Sequence, residues 1–174
     1  MNRFNNIYLI GPMGVGKTTI GRQLAKALKR PFYDSDKVIE QKTGVDIPTI
    51  FEFEGEQGFR RREKKVIQEL TQIQNIILST GGGVIVSEEN RELLKQFGFV
   101  IYLQCSVERL LERTRKDTQR PLLQTENPRQ RIEQLMGQRE PLYLSCADFK
   151  INTGKLVSKI VVKKILAEYK SVAD

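Results

Sequence analysis

The sequence GPMGVGKT at residues 11–18 decides the fold of this chain. It has the form G-x-x-x-x-G-K-[ST], in which the glycines let successive backbone N–H groups turn towards a phosphate group. An apolar run at residues 7–10 leads into this stretch, and apolar residues at helical spacing follow it. The order strand, loop, helix predicts a phosphate-binding loop at a helix N-terminus, where the helix dipole also favours an anion.

The motif gives its members different tasks. Lys17 is expected to reach the β- and γ-phosphates of ATP, and the hydroxyl of Thr18 to ligate Mg²⁺. The residues expected to contact ATP through this loop and the first helical turn are Gly14, Val15, Gly16, Lys17, Thr18 and Thr19.

Length and composition describe an ordinary globular protein. The 174 residues suit one domain, and 39% hydrophobic with 29% charged residues is a usual balance. No apolar stretch approaches the ~18 residues that a membrane span needs, and the N-terminus lacks the apolar core of a secretion signal. We therefore expect a cytoplasmic protein without a membrane partner.

Residue types that are absent or rare limit the chemistry. The chain has no histidine, which excludes Ser-His hydrolysis and leaves Asp, Glu, Lys, Tyr or Cys for any acid–base step. Cys105 and Cys146 lie far apart without C-x-x-C spacing, so we predict neither a zinc site nor a redox pair and expect both to be small buried hydrophobes. The net charge of +8 suits nucleic acid or small anionic substrates.

Strand-like apolar runs alternate with helical patterns along the whole chain. Strands are predicted at residues 7–10, 31–34, 75–80, 99–103 and 149–152, and helices at 18–30, 87–97, 106–115, 127–139 and 155–170. Such alternation predicts a single three-layer α/β domain over residues 1–174, with a parallel sheet and its ligand at the carboxyl ends of the strands.

Two segments depart from this pattern. Residues 35–70 form an insertion with helical pieces at 36–43, after Pro48, and at 59–70. Residues 113–128 are polar and basic and include Arg120, which suggests a mobile lid that closes over the γ-phosphate and excludes water. The alternative for this second segment is a solvated basic loop.

Candidate acidic and glycine positions follow the second and third predicted strands. Asp34 and Asp36 are spaced so that one can face Mg²⁺ and the other an acceptor molecule. The alternative is that Asp36 or Ser35 caps the helix that follows. The glycines at residues 81–83 allow backbone N–H groups to approach a ligand closely.

Arg60 lies in a basic triplet at a predicted helix start, where a partner such as a substrate carboxylate would stabilise it. Arg61 and Arg62 are expected to be solvated.

Taken together, these stretches resemble the shikimate kinase family. The matching residues are 11–18, 32–36, 51–60, 81–83, 120–122 and 139–143. The resemblance implies a P-loop NTPase fold similar to that of the nucleoside monophosphate kinases, with a five-stranded parallel sheet in the order 2-3-1-4-5, a substrate-binding insertion and a lid. It also implies phosphorylation of the shikimate 3-hydroxyl by ATP and Mg²⁺, on the cytosolic route to chorismate and the aromatic amino acids.

The resemblance implies a role for each matching residue. Asp36 would bind the shikimate hydroxyls and accept the reacting proton, Asp34 would hold Mg²⁺ beside Thr18, and Lys17 with Arg120 would neutralise the transferring phosphoryl group. The residues implied in shikimate binding besides Asp36 are Arg60 and Arg139 at the carboxylate, Gly81, Gly82 and Gly83 at the backbone, Phe51 and Phe59 as walls, and Glu63, which would orient Arg60. Arg113 would stack on adenine, and residues 153–155 show no clear match to the family's adenine contacts.

Two other functions remain open on the sequence alone. One is a kinase of the same architecture that acts on gluconate or a nucleoside monophosphate. The other is an ATP-dependent nucleic-acid-binding module, which the absence of a recognised motif and of aromatic residues among the basic ones disfavours. We therefore expect shikimate and ATP as ligands, no nucleic acid, and a monomer, because no exposed apolar stripe demands a partner.

Overall fold

Strands and helices alternate from one end of the chain to the other. The computed structural model describes residues 2–115, 117 and 119–174, so Lys116 and Thr118 of the predicted lid lie outside the described residues. The strands are β1 (Ile7–Ile10), β2 (Phe32–Asp34), β3 (Ile77–Ser79), β4 (Phe99–Gln104) and β5 (Phe149–Asn152). The helices are α1 (Lys17–Leu28), α2 (Ser35–Thr43), α3 (Ile47–Leu70), α4 (Glu88–Phe97), α5 (Val107–Thr114), α6 (Pro128–Cys146) and α7 (Ser158–Ala173).

The five strands form one parallel sheet in the order β2-β3-β1-β4-β5, which confirms the predicted order. Strand β1 lies at the centre, with Ile7 opposite both Ile77 and Phe99. The loop that follows β1 therefore emerges at the point where connections from neighbouring strands run to opposite sides of the sheet. Ligands bind at this point in open α/β folds.

Side chains from the two faces of the sheet form two separate cores. Ile7 and Leu9 pack with residues of α1, α5 and α7, whereas Tyr8 and Ile10 pack with residues of α3, α4 and α6. Helices thus cover both faces, and the three-layer prediction is confirmed. No helix of the described residues is long and apolar enough to cross a membrane.

Helix α6 differs from its prediction. The sequence suggests that it ends near Arg139, but it continues to Cys146 with Pro141 inside it. Pro141 has no N–H group that could donate to the carbonyl of Gly137. Because Pro141 is exposed, water can reach that carbonyl instead. Arg139 consequently lies within the helix and not at its C-terminus.

The insertion consists of α2 and α3, and α3 is two helical pieces joined at Gly55. That residue has φ 70° and ψ −179°, a conformation that only glycine adopts readily. The first piece begins at the capping residue Asp46, whose side chain accepts a hydrogen bond from the N–H of Thr49. Of the two cysteines, Cys146 is buried and Cys105 is half-buried, and both are free thiols.

Candidate active site

A cleft of about 620 Å³ opens at the carboxyl ends of the central strands. It lies between the loop after β1, the insertion, the segment after β3 and the residues that follow α5. The structure brings all the sequence-predicted site residues to its walls: Gly14, Val15, Gly16, Lys17, Thr18, Thr19, Asp34, Asp36, Phe51, Phe59, Arg60, Glu63, Gly81, Gly82, Gly83, Arg113, Arg120 and Arg139.

The phosphate loop owes its shape to glycines with positive φ. Gly14 has φ 85° and Gly16 has φ 105°, and Gly16 is also the N-cap of α1. Lys17 is buried, and its Nζ donates to the carbonyls of Gly11 (2.5 Å) and Pro12 (2.8 Å). Burial lowers the pKa of Lys17 to about 7, and the positive charge of Arg120 acts in the same direction. A bound phosphate would reverse this shift, because its charge favours the ammonium form.

Thr18 and Asp34 meet at the end of β2. The Thr18 hydroxyl donates to Asp34 Oδ2 at 2.8 Å, while Asp34 Oδ1 accepts from the N–H groups of Asp36 (3.0 Å) and Lys37 (3.3 Å). Asp34 is therefore the N-cap of α2, and the alternative in which Asp36 or Ser35 serves as the cap is wrong. The hydroxyl of Ser35 instead accepts from the N–H of Gly81 at 2.8 Å.

The pair Thr18 and Asp34 fits a magnesium ion that also uses phosphate oxygens. Mg²⁺ commonly takes one or two protein oxygens and completes its shell with water and substrate phosphates. Within residues 2–115, 117 and 119–174, no group of three or more Cys, Asp or Glu residues could hold a metal ion by itself. A metal at this position would therefore depend on the nucleotide for several of its ligands.

The carboxyl group of Asp36 points into the cleft over the backbone of Gly81. Its Oδ1 is buried and has no hydrogen-bond partner among the described residues. A side chain at Gly81 would meet it, since a Cβ there would lie 2.6 Å from Oδ1. Burial raises the pKa of Asp36 to about 6, with the charge of Asp34 acting in the same direction and those of Lys17, Arg120 and Arg60 opposing it. This oxygen is available to accept a proton from a bound molecule.

Arg60 is held by carboxylates of its own helix. Its Nη1 donates to Glu63 Oε1 at 2.8 Å and its Nη2 to Glu56 at 3.4 Å, with its guanidinium 5.2 Å from the centre of the Phe59 ring. Burial raises the pKa of Glu63 to about 7 against the opposing charge of Arg60. Arg60 therefore already has partners and does not lie at a helix start. Arg62, expected to be solvated, pairs with Glu54 at 2.9 Å.

Arg139 has no such partner. It is only 5% exposed, and it forms no ion pair with any residue that the structure describes. Burial lowers the pKa of Arg139, and the neighbouring hydroxyl of Tyr143 opposes that effect. A buried guanidinium without a carboxylate is costly, so the position favours binding of an anion from outside the chain.

The glycines after β3 supply further hydrogen-bond donors. All three are buried, and only the N–H of Gly81 has a partner within the described part of the chain. A Cβ at Gly83 would overlap the guanidinium of Arg60 and would displace it from its present position. The N–H groups of Gly82 and Gly83 remain for a ligand.

Arg113 and Arg120 enter from the residues around the end of α5. Arg113 Nη1 donates to the carbonyls of Val15 (2.9 Å) and Gly14 (3.3 Å), so it braces the phosphate loop. Arg120 Nε donates to Asp117 Oδ2 at 2.5 Å. On the opposite wall the rings of Phe51 and Phe59 are 5.0 Å apart and tilted by 39°.

Comparison with known proteins adds to this geometry. The family model for shikimate kinase matches residues 13–170. The shikimate kinase of Methylococcus capsulatus is 57% identical over 97% of this chain and 94% of its own length. The chain belongs to the shikimate kinase family. The shikimate kinase of Thioalkalivibrio sulfidiphilus is 55% identical over 98% of the chain and 90% of its own length.

A solved structure agrees with the family. Shikimate kinase from Acinetobacter baumannii in complex with shikimate is 52% identical, with a TM-score of 0.95 over 97% of this chain and 94% of that one. The resemblance drawn from the sequence motifs and the P-loop NTPase fold class are confirmed. Shikimate kinases are phosphotransferases that generally use ATP.

Sequence reasoning missed three residues of this shikimate kinase site. Ser35 bonds the backbone of Gly81, Asp117 holds Arg120, and the hydroxyl of Tyr143 donates to the carbonyl of Gly82 at 2.6 Å. The spacing of Tyr143 from Arg139 was a usable signal, because it places both on one face of α6. The role of Ser35 left no signal, because its partner is a backbone amide.

Proposed function

We propose that this chain transfers the γ-phosphoryl group of ATP to the 3-hydroxyl of shikimate, giving shikimate 3-phosphate for aromatic amino acid synthesis. The observation that carries this proposal is the buried Arg139, which has no ion-pair partner among the described residues and lines the same cleft as the free carboxylate oxygen of Asp36 and the phosphate loop. A hydroxy acid can satisfy both groups at once, since its carboxylate pairs with the arginine and its hydroxyl with Asp36.

The acceptor side binds the acid. Arg60 and Arg139 would hold the carboxylate, and charge-assisted bonds to guanidinium groups both strengthen and select such binding. The N–H groups of Gly82 and Gly83, which have no partner in the described part of the chain, would donate to oxygens of the same molecule. Phe51 and Phe59 would form the apolar wall, and Glu63 would keep Arg60 in orientation through its 2.8 Å bond.

Asp36 would take the proton of the reacting hydroxyl. The O–H bond breaks as its proton passes to Asp36 Oδ1, the hydroxyl oxygen forms a bond to the γ-phosphorus, and ADP leaves with the electrons of the broken P–O bond. A carboxylate with a pKa near 6 is ionised at neutral pH and is more basic than an ordinary aspartate.

The donor side neutralises the phosphates. Lys17, Arg120 and the N–H groups at Gly14, Val15, Gly16, Thr18 and Thr19 would surround the β- and γ-phosphates, and Thr18 with Asp34 would hold Mg²⁺. When bound, the metal ion would supply positive charge that stabilises phosphoryl transfer. Arg113 would stack on adenine at the open side of the loop.

The domain would work as one unit with two specialised segments. We propose that residues 35–70 bind the acceptor and that residues 113–128 close over the nucleotide, since Arg120 lies in that segment and already faces the cleft. We further propose a monomer in the cytoplasm, because this one chain supplies candidate residues for both the nucleotide and the acceptor and because ATP is available in the cytoplasm.

A coupled assay of ADP release tests the proposed function. We expect turnover with shikimate and Mg²⁺ that exceeds turnover with gluconate or any common nucleoside monophosphate at least ~100-fold. Comparable turnover with gluconate or a nucleoside monophosphate would assign the chain to another acceptor. Stimulation by single-stranded nucleic acid in the absence of shikimate would favour the nucleic-acid module instead.

Replacing Arg60 with Ala tests the carboxylate site. We expect the KM for shikimate to rise about 10- to 100-fold, the usual effect of losing a charged hydrogen bond, while the KM for ATP changes less than about twofold. Arg62→Ala is the matched control, because Arg62 pairs with the exposed Glu54 and does not line the cleft. An unchanged shikimate KM in Arg60→Ala would place the carboxylate elsewhere.

A further inference from the structure

Tyr143 lies one helical turn after Arg139 on the same face of α6. It is only 1% exposed, and its ring stacks on Tyr102 with centroids 4.9 Å apart and an angle of 25° between the planes. Its hydroxyl donates to the carbonyl of Gly82 at 2.6 Å. A side chain held this firmly can position whatever its hydroxyl contacts.

The contacted group is a peptide bond in the glycine segment after β3. Peptide groups are planar and trans, so fixing the carbonyl of Gly82 also fixes the N–H of Gly83, which points the opposite way. Glycines have wide conformational freedom. The carbonyls of Gly81 and Gly83 accept from the N–H groups of Val84 and Val86, whereas the carbonyl of Gly82 has no backbone partner among the described residues. The only hydrogen bond that a described side chain donates to this segment's carbonyls comes from Tyr143.

The same hydroxyl lies beside the unpaired guanidinium. Arg139 faces the backbone of Gly82, since a Cβ there would lie 3.6 Å from Arg139 Nη1. The hydroxyl also opposes the effect of burial on the pKa of Arg139. Burial raises the pKa of Tyr143 to about 12, so the hydroxyl remains a donor at neutral pH. Tyr143 therefore connects two neighbouring groups of the site, the carbonyl of Gly82 and the guanidinium of Arg139.

We propose that Tyr143 is a positioning residue that fixes the glycine segment at residues 81–83 and Arg139 relative to each other, and so sets the affinity for the acidic acceptor. The inference rests on the proposed function, because it takes shikimate as the acceptor. Tyr143 does not line the main cleft and acts only through the groups that it holds.

Tyr143→Phe keeps the ring and removes only the hydroxyl. We expect the Kd for shikimate, measured by calorimetry without nucleotide, to rise about tenfold, while the KM for ATP changes less than about twofold. The amides of residues 82–84 should exchange with solvent faster in the variant than in the wild type, since the segment loses its bond to α6.

Tyr8→Phe is the matched control. Tyr8 is fully buried, its hydroxyl accepts from Asn6 Nδ2 at 3.0 Å, and it does not line the cleft. An unchanged shikimate Kd in Tyr143→Phe would overturn the proposal, as would an equal loss in Tyr8→Phe, which would indicate a general effect of a lost core hydroxyl. If wild-type protein neither binds nor phosphorylates shikimate, the proposed function itself fails. If the wild type does both and only the variant comparison fails, the proposed positioning role of Tyr143 is wrong and the proposed function stands.

Discussion

Replacing Asp36 with Asn is expected to lower kcat at least ~100-fold and to leave ATP binding unchanged, because an amide of the same shape cannot take the hydroxyl proton. Steady-state ADP release and nucleotide titration measure the two quantities. Asp46→Asn is the matched control, since Asp46 caps α3 outside the cleft and Asn caps a helix equally well. Near-normal turnover in Asp36→Asn would remove Asp36 from the base role.

The pH profile gives the same prediction a second readout. With a pKa of about 6, Asp36 becomes protonated and loses its capacity as a base as the pH falls below that value. Wild-type kcat/KM for shikimate should therefore fall on the acid side of about pH 6. The residual activity of Asp36→Asn should not show this fall, and an acid limb that persists unchanged would assign it to another group.

Stability should change in the opposite direction to activity. Because the folded pKa of Asp36 is raised, the native state binds more protons than the unfolded state between about pH 4 and 6, and stability falls as the pH rises through this range. At pH 7 the wild type bears the full cost of a buried charge that Asn lacks. We expect the Tm of Asp36→Asn to equal or exceed that of the wild type at pH 7.

Replacing Arg120 with Ala is expected to lower kcat about 10²- to 10³-fold, the usual cost of losing one donor to charge that develops in the transition state. Folding should be little affected, because the ion pair of Arg120 with Asp117 is partly exposed and such pairs contribute little to stability. The Tm and kcat of the variant check both statements.

Arg115→Ala is the control for this prediction, because Arg115 is an exposed arginine of the same segment that does not line the cleft. Hydrogen exchange of residues 119–125 should slow when shikimate and a non-hydrolysable ATP analogue bind together. Unchanged kcat in Arg120→Ala would contradict a role at the transferring phosphoryl group, and unchanged exchange would contradict closure of the lid.

The features that sequence predicted well are those that local patterns determine. The phosphate loop follows from glycines at fixed spacing, and the alternation of strands and helices follows from apolar periodicity. The strand order came from family resemblance, since buried parallel strands are nearly uniform runs of apolar residues that carry little pairing information. The site residues likewise came from motifs that place charged side chains at strand ends.

The features that sequence missed depend on contacts between distant parts of the chain. The capping of α2 by Asp34 could not be separated from capping by Asp36, because both residue types suit that position. The extension of α6 through Pro141 depends on solvent reaching one carbonyl. The bond from Tyr143 to Gly82 ends on a backbone atom, and every residue has the same backbone carbonyl.

The double task of Asp34 limits how this kinase could be redesigned for another acceptor. One carboxylate receives the Thr18 hydroxyl from the nucleotide side and the first N–H groups of α2 from the acceptor side. A change of specificity introduced at Asp34 or in the first turn of α2 would disturb both halves of the reaction. Arg60 and Arg139 lie on other helices, so an engineer or natural selection can alter them and leave the donor side in place.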